Sequence, residues 1–217
     1  MTNITNKVRD FLNKNPQIVR FLGLKLINVR ALAFYVLKES EIDASLHAVM
    51  SAIRRYIKES MPSTKKEQLI QKIYSDSKIS TKSHLVMLTV NRHFSILKNI
   101  IPDLLGMIHV SKGEVLRIVE GREAIKFIVD HSKRNEVVKL IPKEELVSID
   151  SDLGEVNIHL SEKYGDTPGL ISPIFNELAI NDINITEVIG CMPELIFIIK
   201  EKDISACHDV LLRFLYR

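Results

Sequence analysis

Hydrophobic positions along the chain follow two rhythms, and the change between them falls near Ser75. Before it the spacing is helical throughout. Val8 to Leu12 and Ile18 to Leu24 are two short helical pieces separated around Pro16. Asn28 is placed to cap a helix that ends near Ser40 and carries Ala31, Leu32, Tyr35 and Val36 at i, i+1, i+4 and i+5. Asp43 reads as the cap of a stronger helix with Leu46, Val49, Met50, Ile53 and Ile57 on one face. Its other face carries His47, Ser51, Arg54, Arg55 and Lys58, so the polar side is cationic. After the break at Ser60-Met-Pro-Ser-Thr64, Thr64-Lys-Lys-Glu67 has the pattern of a capping box, a hydroxyl and a carboxylate each closing one orphan amide. It opens a linker helix through Leu69, Ile70 and Ile73.

After Ser75, β-rich runs alternate with amphipathic helices in two rounds. Leu85 to Val90 is an apolar strand, followed by a helix face of Phe94, Ile96, Leu97, Ile100, Ile101 and Leu104. Val115 to Val119 and Ile125 to Val129 flank the turn at Glu120-Gly121-Arg122. Ser132 is placed to cap a helix with Val137, Val138 and Ile141, and Leu146 to Ile149 is a further strand, which makes the order βαββαβ. The second round opens on Val156, Ile158 and Leu160 alternating with Asn157, His159 and Ser161, a strand with one wet face. The loop Gly165-Asp-Thr-Pro-Gly169 leads into a helix with Ile171, Ile174, Phe175 and Leu178, with Pro173 in its first turn. Ile183 to Ile189 and Leu195 to Ile199 are strands joined by a turn over Gly190 to Pro193, and Asp203 reads as the cap of a last helix with Ile204, Cys207, Leu211 and Phe214. No strand follows to complete this round, which has no fourth strand unless one is exchanged from the first round or from a partner chain.

Charge sharpens the division. The 217 residues carry a net charge of +3, which is uninformative until it is divided at Ser75: Met1 to Ser75 carries +7 and Asp76 to Arg217 carries −4. Apolar residues at 46% and charged residues at 26% are ordinary for a globular protein and exclude disordered or collagen-like chains. The longest apolar run, Ala31 to Leu37, is far short of a membrane span, and Met1 to Lys7 has no apolar core of the kind a secretory signal carries. Cys191 and Cys207 have no disulfide or metal spacing. The expectation is therefore a cytoplasmic protein that makes no contact with a membrane.

Little in the sequence supports catalysis. His47, His84, His93, His109, His131, His159 and His208 are scattered, with no spacing a metal site needs. The two cysteines are packing residues rather than nucleophiles, because no activating partner stands beside them in sequence. Neither glycine-rich phosphate motif occurs among the eight glycines. No enzyme activity, metal or cofactor is expected.

Thr167-Pro-Gly-Leu-Ile-Ser-Pro-Ile-Phe-Asn-Glu-Leu-Ala179, then Ile183-Asn-Ile-Thr-Glu-Val188, then Glu194-Leu-Ile-Phe-Ile-Ile199, resembles an ACT domain of the kind found at the C-terminus of aspartokinases. Residues 79–151 have the same element order without the Pro-Gly loop and resemble a diverged first module of a tandem. The resemblance does not extend to the kinase domain, and none is expected within these residues. Leu26-Ile-Asn-Val-Arg-Ala-Leu-Ala33 leading to Ala52-Ile-Arg-Arg-Tyr56 is similar to the winged-helix or helix-turn-helix units that precede ACT domains in some prokaryotic regulators. The expected architecture is α+β: a helical, winged-helix-like domain over residues 1–62, a linker helix over 63–78, a diverged ACT-like module over 79–151 and an ACT domain over 152–217, both modules ferredoxin-like βαββαβ units.

The resemblance implies amino-acid binding without transformation, at Asp166, Thr167, Pro168, Gly169, Leu170, Ile171, Asn184 and Ile185. The loop supplies a physical reason: Pro168 fixes its φ, Gly169 permits close backbone approach, and the amides of Gly169, Leu170 and Ile171, unpaired at a helix N-terminus, attract a carboxylate. Asp166 would accept from the ligand's ammonium. The same string also reads as a tight turn capped by Asp166 or Thr167. The basic helix likewise has two readings, a solvated face or a DNA-binding one. In the second, His47 and Ser51 meet base edges while Arg54, Arg55 and Lys58 meet phosphates. The function expected is an amino-acid-sensing transcriptional regulator, homodimeric through its ACT sheets, with DNA as partner. The alternative is a non-catalytic allosteric subunit docking on an aspartokinase or homoserine dehydrogenase.

Overall fold

A computed structural model describes residues 4–23, 26–40, 42–60, 64–93, 96–160 and 167–216. The chain divides into two compact units, Met1–Glu67 and Gln68–Arg217.

The first unit holds four helices, α1 (Ile4–Lys14), α2 (Pro16–Gly23), α3 (Val29–Glu39) and α4 (Leu46–Ser60). Their apolar stripes meet in a core that includes Val8, Leu12, Leu32, Val36, Val49 and Ile53. Asn28 caps α3, its side-chain oxygen accepting from the amides of Arg30 at 2.9 Å and Ala31 at 3.3 Å, a contact worth about 1 kcal/mol. The cap of α4 is Ser45, whose hydroxyl accepts from the Ala48 amide at 3.3 Å, and not Asp43 as the sequence suggests. Both residues are cap formers two positions apart, and the backbone selects the later one. Tyr56 donates to the Asn13 side chain at 2.7 Å and Arg9 pairs with Glu59 at 2.7 Å, tying α1 to the end of α4. Among the described residues of this unit no strand occurs, so the wing of a winged helix has no counterpart there.

The helix α5 (Thr64–Ser75) leads into β1 (Lys78–Asn91); the capping-box side chains of Thr64 and Glu67 lie outside the described residues. A π-helical turn, Ile96–Ile100, precedes α6 (Ile101–Met107), and β2 (Leu116–Glu120), β3 (Ala124–Asp130), α7 (Arg134–Leu140) and β4 (Leu146–His159) follow. Phe94, expected on the first helix face, lies outside the described residues, as do the side chains of Ile96 and Leu97. The chain closes with α8 (Ser172–Ile180), β5 (Ile185–Cys191), β6 (Glu194–Lys200) and α9 (Ile204–Leu215). Asp203, read as the cap of α9, sits in a short 3-10 turn and makes no side-chain cap bond.

All six strands form one antiparallel sheet in the order β2-β3-β1-β4-β6-β5. The two central strands are each 14 residues long. The runs read from sequence as Leu146 to Ile149 and Val156 to Leu160 are thus parts of a single strand. The trailing half of β1 pairs with β3, from Leu85 opposite Asp130 to Asn91 opposite Ala124. The leading half, Lys78 to Lys82, pairs with β4 from His159 to Glu155, beside the β6 pairing of the same residues. That leading half stands where the second round lacked its fourth strand.

At the changeover both long strands are irregular. The register shifts between Lys82 and Leu85, and His84 and Asp152 both take φ of +57°, a left-handed conformation uncommon outside glycine and in which asparagine, aspartate and histidine are enriched. The bend lets the sheet fold over itself. Lys126 on β3 pairs with Glu187 on β5, and Arg117 on β2 pairs with Glu155 on β4 at 2.9 Å. In a flat sheet those strand pairs would stand about 19 Å and about 14 Å apart. Between the folded halves lie buried Leu85, Met87, Ile128, Leu153, Ile196 and Ile198. On the outer faces, α6 and α7 cover Val86, Leu88, Phe127 and Val129, while α5, α8 and α9 cover Val156, Ile158, Phe197 and Ile199. The second unit is therefore four layers, helix, sheet, sheet and helix.

Candidate functional site

The loop before α8 is built on a turn. The Leu170 amide donates to the Thr167 carbonyl at 3.3 Å, and Gly169 takes φ of +87°, which a glycine adopts without strain. Pro168 and Gly169 are exposed, Leu170 is buried in the core and Ile171 is 41% exposed. Helix α8 begins three residues after Gly169, with Ile171 as its cap residue and Pro173 in its first turn. Ile174 and Phe175 already donate to the Ile171 carbonyl. The amides left without a partner among the described residues are those of Gly169, Ile171 and Ser172. Leu170 is lost from the expected set because the turn consumes its N–H. What remains is a short run of outward backbone donors at the positive end of a nine-residue helix. Asp166 lies outside the described residues.

Asn184 and Ile185 are not brought to this loop within one chain. The loop lies at the N-terminal end of α8, whereas Asn184 follows its C-terminal end, about 13 Å away by helix rise. Register agrees: Leu160, which leads into the loop, bonds to Pro193 beyond the far end of β5, while Ile185 is opposite Ile199 at the near end. Asn184 is exposed and Ile185 is half-buried on an edge strand.

Beneath the loop stands a residue that the helical pattern of α5 did not single out. Tyr74, 3% exposed, donates its hydroxyl to the Leu170 carbonyl at 2.6 Å. Its ring packs on Phe214 with centroids 5.1 Å apart. The signal available in sequence was a tyrosine continuing the apolar seam of Ile70 and Ile73, because a buried phenol needs an acceptor.

On α4, His47, Ser51, Arg54, Arg55 and Lys58 are all exposed, and among the described residues none of the three cations has an ion-pair partner. The five form one continuous face opposite the buried Val49, Ala52 and Ile53.

The fold-over of the sheet also produces a polar layer. The bond to Glu155 holds the Arg117 guanidinium above its ordinary pKa against the opposing effect of burial. Asn157 donates to Glu194 at 2.9 Å, and its side-chain oxygen is buried without a partner among the described residues. Glu114 is held below the usual carboxylate range by the His109 amide, which donates to it at 2.7 Å. Burial pushes the Cys207 thiol up to about 12. Among the described residues no helix is long and apolar enough to cross a membrane.

No family model and no curated protein matches the sequence. Solved structures do match. The aspartate kinase of Clostridium acetobutylicum is 14% identical with a TM-score of 0.52, the match covering 64% of this chain and 34% of that one. This chain thus spans about a third of that enzyme's length. The regulatory subunit of aspartate kinase from Thermus flavus is 14% identical with a TM-score of 0.52, covering 64% of this chain and 97% of that one. A structure of aspartokinase alpha and beta subunits is 15% identical with a TM-score of 0.51, covering 68% of this chain and 98% of its own. What this chain shares with them is a fold of helices on an antiparallel sheet.

Proposed function

We propose that the chain is a non-catalytic, amino-acid-sensing regulatory protein, with residues 68–217 acting as two ACT modules that share the long strands β1 and β4. The likeness in fold to the regulatory subunit of aspartate kinase from Thermus flavus supports this reading. The observation that carries it is the loop Thr167 to Ile171, where a glycine at φ of +87° and a helix start leave the amides of Ile171 and Ser172 without a partner among the described residues. Those donors suit an α-carboxylate. Asn184 and Ile185, at the other end of α8, would reach such a site from a second copy of the chain, which makes the sensing form a homodimer.

The output is carried by the first unit. Its exposed cationic helix face favours DNA, while the alternative partner is an amino-acid biosynthetic enzyme. The sensing role is tested by thermal denaturation of the full chain against each of the twenty proteinogenic amino acids at millimolar concentration. One or a few should raise Tm, since a ligand at a hundred times its Kd adds about 2.7 kcal/mol. Titration calorimetry then gives the stoichiometry. A chain whose Tm is unmoved by all twenty does not sense amino acids.

A further inference from the structure

We infer that Tyr74 is a positioning residue that locks the loop before α8 to helix α5, so that the state of the loop and the order of α5 are set together. This rests on the amino-acid-sensing reading of that loop. The two groups are 96 residues apart in sequence and meet in the core: the Tyr74 hydroxyl donates to the Leu170 carbonyl at 2.6 Å. Leu170 is the residue between Gly169 and Ile171, and it is 2% exposed. Its carbonyl therefore has no water to turn to if the phenol withdraws, and the plane of its peptide group directs the Ile171 amide that follows. A ligand carboxylate drawing on the Ile171 amide pulls on that same peptide plane.

The other end of the link is equally tied down. The Tyr74 carbonyl accepts from the Ser77 hydroxyl at 2.6 Å and the Ser77 amide at 3.1 Å, and the Ser77 carbonyl accepts from the Tyr216 hydroxyl at 2.7 Å. Ser77 is itself buried and immediately precedes β1. A run of hydrogen bonds thus joins the loop to the last turn of α5, the entry to β1 and the end of α9. Helix α5, Thr64–Ser75, runs across the boundary between the two units in the chain, so the link ends on the segment that joins them covalently.

The ring and the hydroxyl of Tyr74 do separable things. The ring fills core against Phe214, while the hydroxyl alone reaches the loop. Tyr74→Phe removes the link and keeps the packing. The measurement is amide hydrogen exchange by mass spectrometry on the full chain, wild type against Tyr74→Phe, with and without an equimolar mixture of the twenty proteinogenic amino acids at 1 mM each. Tyr216→Phe serves as the control, a lost phenol bond that does not touch the loop.

Without amino acids, Tyr74→Phe should speed exchange at the Leu170 amide, which the turn protects, and at residues 70–76 by about five- to thirtyfold and leave residues 125–129 and 196–199 unchanged. Tyr216→Phe should leave 169–172 unchanged. A uniform acceleration across all these segments would reduce Tyr74 to core packing and overturn the proposal. With amino acids, wild type should be protected in both segments and Tyr74→Phe in the loop alone. Protection of the loop in wild type with no change in α5 overturns the coupling while leaving amino-acid sensing intact. Protection of neither segment overturns the sensing reading and this proposal with it.

Discussion

Arg117 on β2 and Glu155 on β4 share a two-point ion pair, Nε to Oε2 at 3.1 Å and Nη2 to Oε1 at 2.9 Å, although two strands stand between theirs in the sheet. The pair exists only because the sheet bends back at His84 and Asp152. It is also asymmetric: the Glu155 side chain is 7% exposed and that of Arg117 30%. The carboxylate is the member that cannot be left alone, and the guanidinium is its counter-charge.

Arg117→Met should therefore cost about 3 kcal/mol, the lower end of the range for stranding one member of a buried pair, because water already reaches the arginine side. The double variant Arg117→Met, Glu155→Met should recover most of that loss, since a well-packed apolar pair needs no counter-charge. Urea denaturation midpoints measure both. Equal losses in the single and double variants would show that the ion pair is not what matters at this contact.

Gly154 is glycine because α9 begins against it. A Cβ built there would lie 2.1 Å from Ile204 Cδ1, 2.8 Å from Cγ1 and 3.0 Å from the Lys82 carbonyl oxygen. Gly154→Ala should destabilise by about 1–3 kcal/mol through overpacking. Adding Ile204→Val removes Cδ1 and should restore part of the loss, as read by thermal melting. If the second change makes matters worse, the clash is with the Lys82 backbone instead.

The two cysteines should behave oppositely. Cys191 is exposed, whereas Cys207 is buried and its thiol is pushed up to about 12. A thiol reagent at pH 8 should modify one site per folded chain and two in urea. Because the folded value lies above the ordinary one, the stability this thiol carries is complete below about pH 9 and is lost as pH rises from there through its folded value. Cys207→Val should flatten that part of the alkaline decline relative to wild type. Two rapid modifications in the native state would contradict the burial.

Elements that local periodicity defines were legible in the sequence. The β2-β3 hairpin around Gly121, helix α8 and strand β6 all stand within a residue or two of their expected limits, because each declares itself through its own apolar spacing. The leading half of β1 was not legible. Lys78-Ile-Ser-Thr-Lys82 carries a single apolar residue, and it is a strand because β4 pairs with it from 73 to 81 positions further along the chain. Asp150-Ser-Asp-Leu-Gly154 misled in the opposite direction. Its composition is that of a turn, yet the backbone runs on as one strand and Asp152 alone absorbs the bend. At the candidate site the Pro-Gly loop was visible as a motif, but not the consumption of the Leu170 amide within it. Tyr74 was invisible as a partner for a more general reason: helix spacing shows which face is buried, and not which distant carbonyl a buried hydroxyl will meet.

The cationic face of α4 separates the two outputs proposed for the first unit. Arg54, Arg55 and Lys58 are exposed and paired with nothing among the described residues, so replacing them should leave folding intact. If the face meets DNA phosphates, each of Arg54→Ala and Arg55→Ala should weaken binding uniformly across sequences and reduce the slope of log K against log salt by about 0.9. His47→Ala and Ser51→Ala should instead alter sequence preference with little change in slope, because contacts to base edges release no counter-ions. Fluorescence anisotropy with labelled duplexes between 50 and 300 mM salt reads both quantities. An absence of micromolar binding to any duplex at 50 mM salt overturns the DNA reading and leaves the face to solvent or to a protein partner. If the partner is an amino-acid biosynthetic enzyme, the same two arginine variants should abolish co-migration with it while leaving any amino-acid shift in Tm unchanged; a solvated face predicts no change in either.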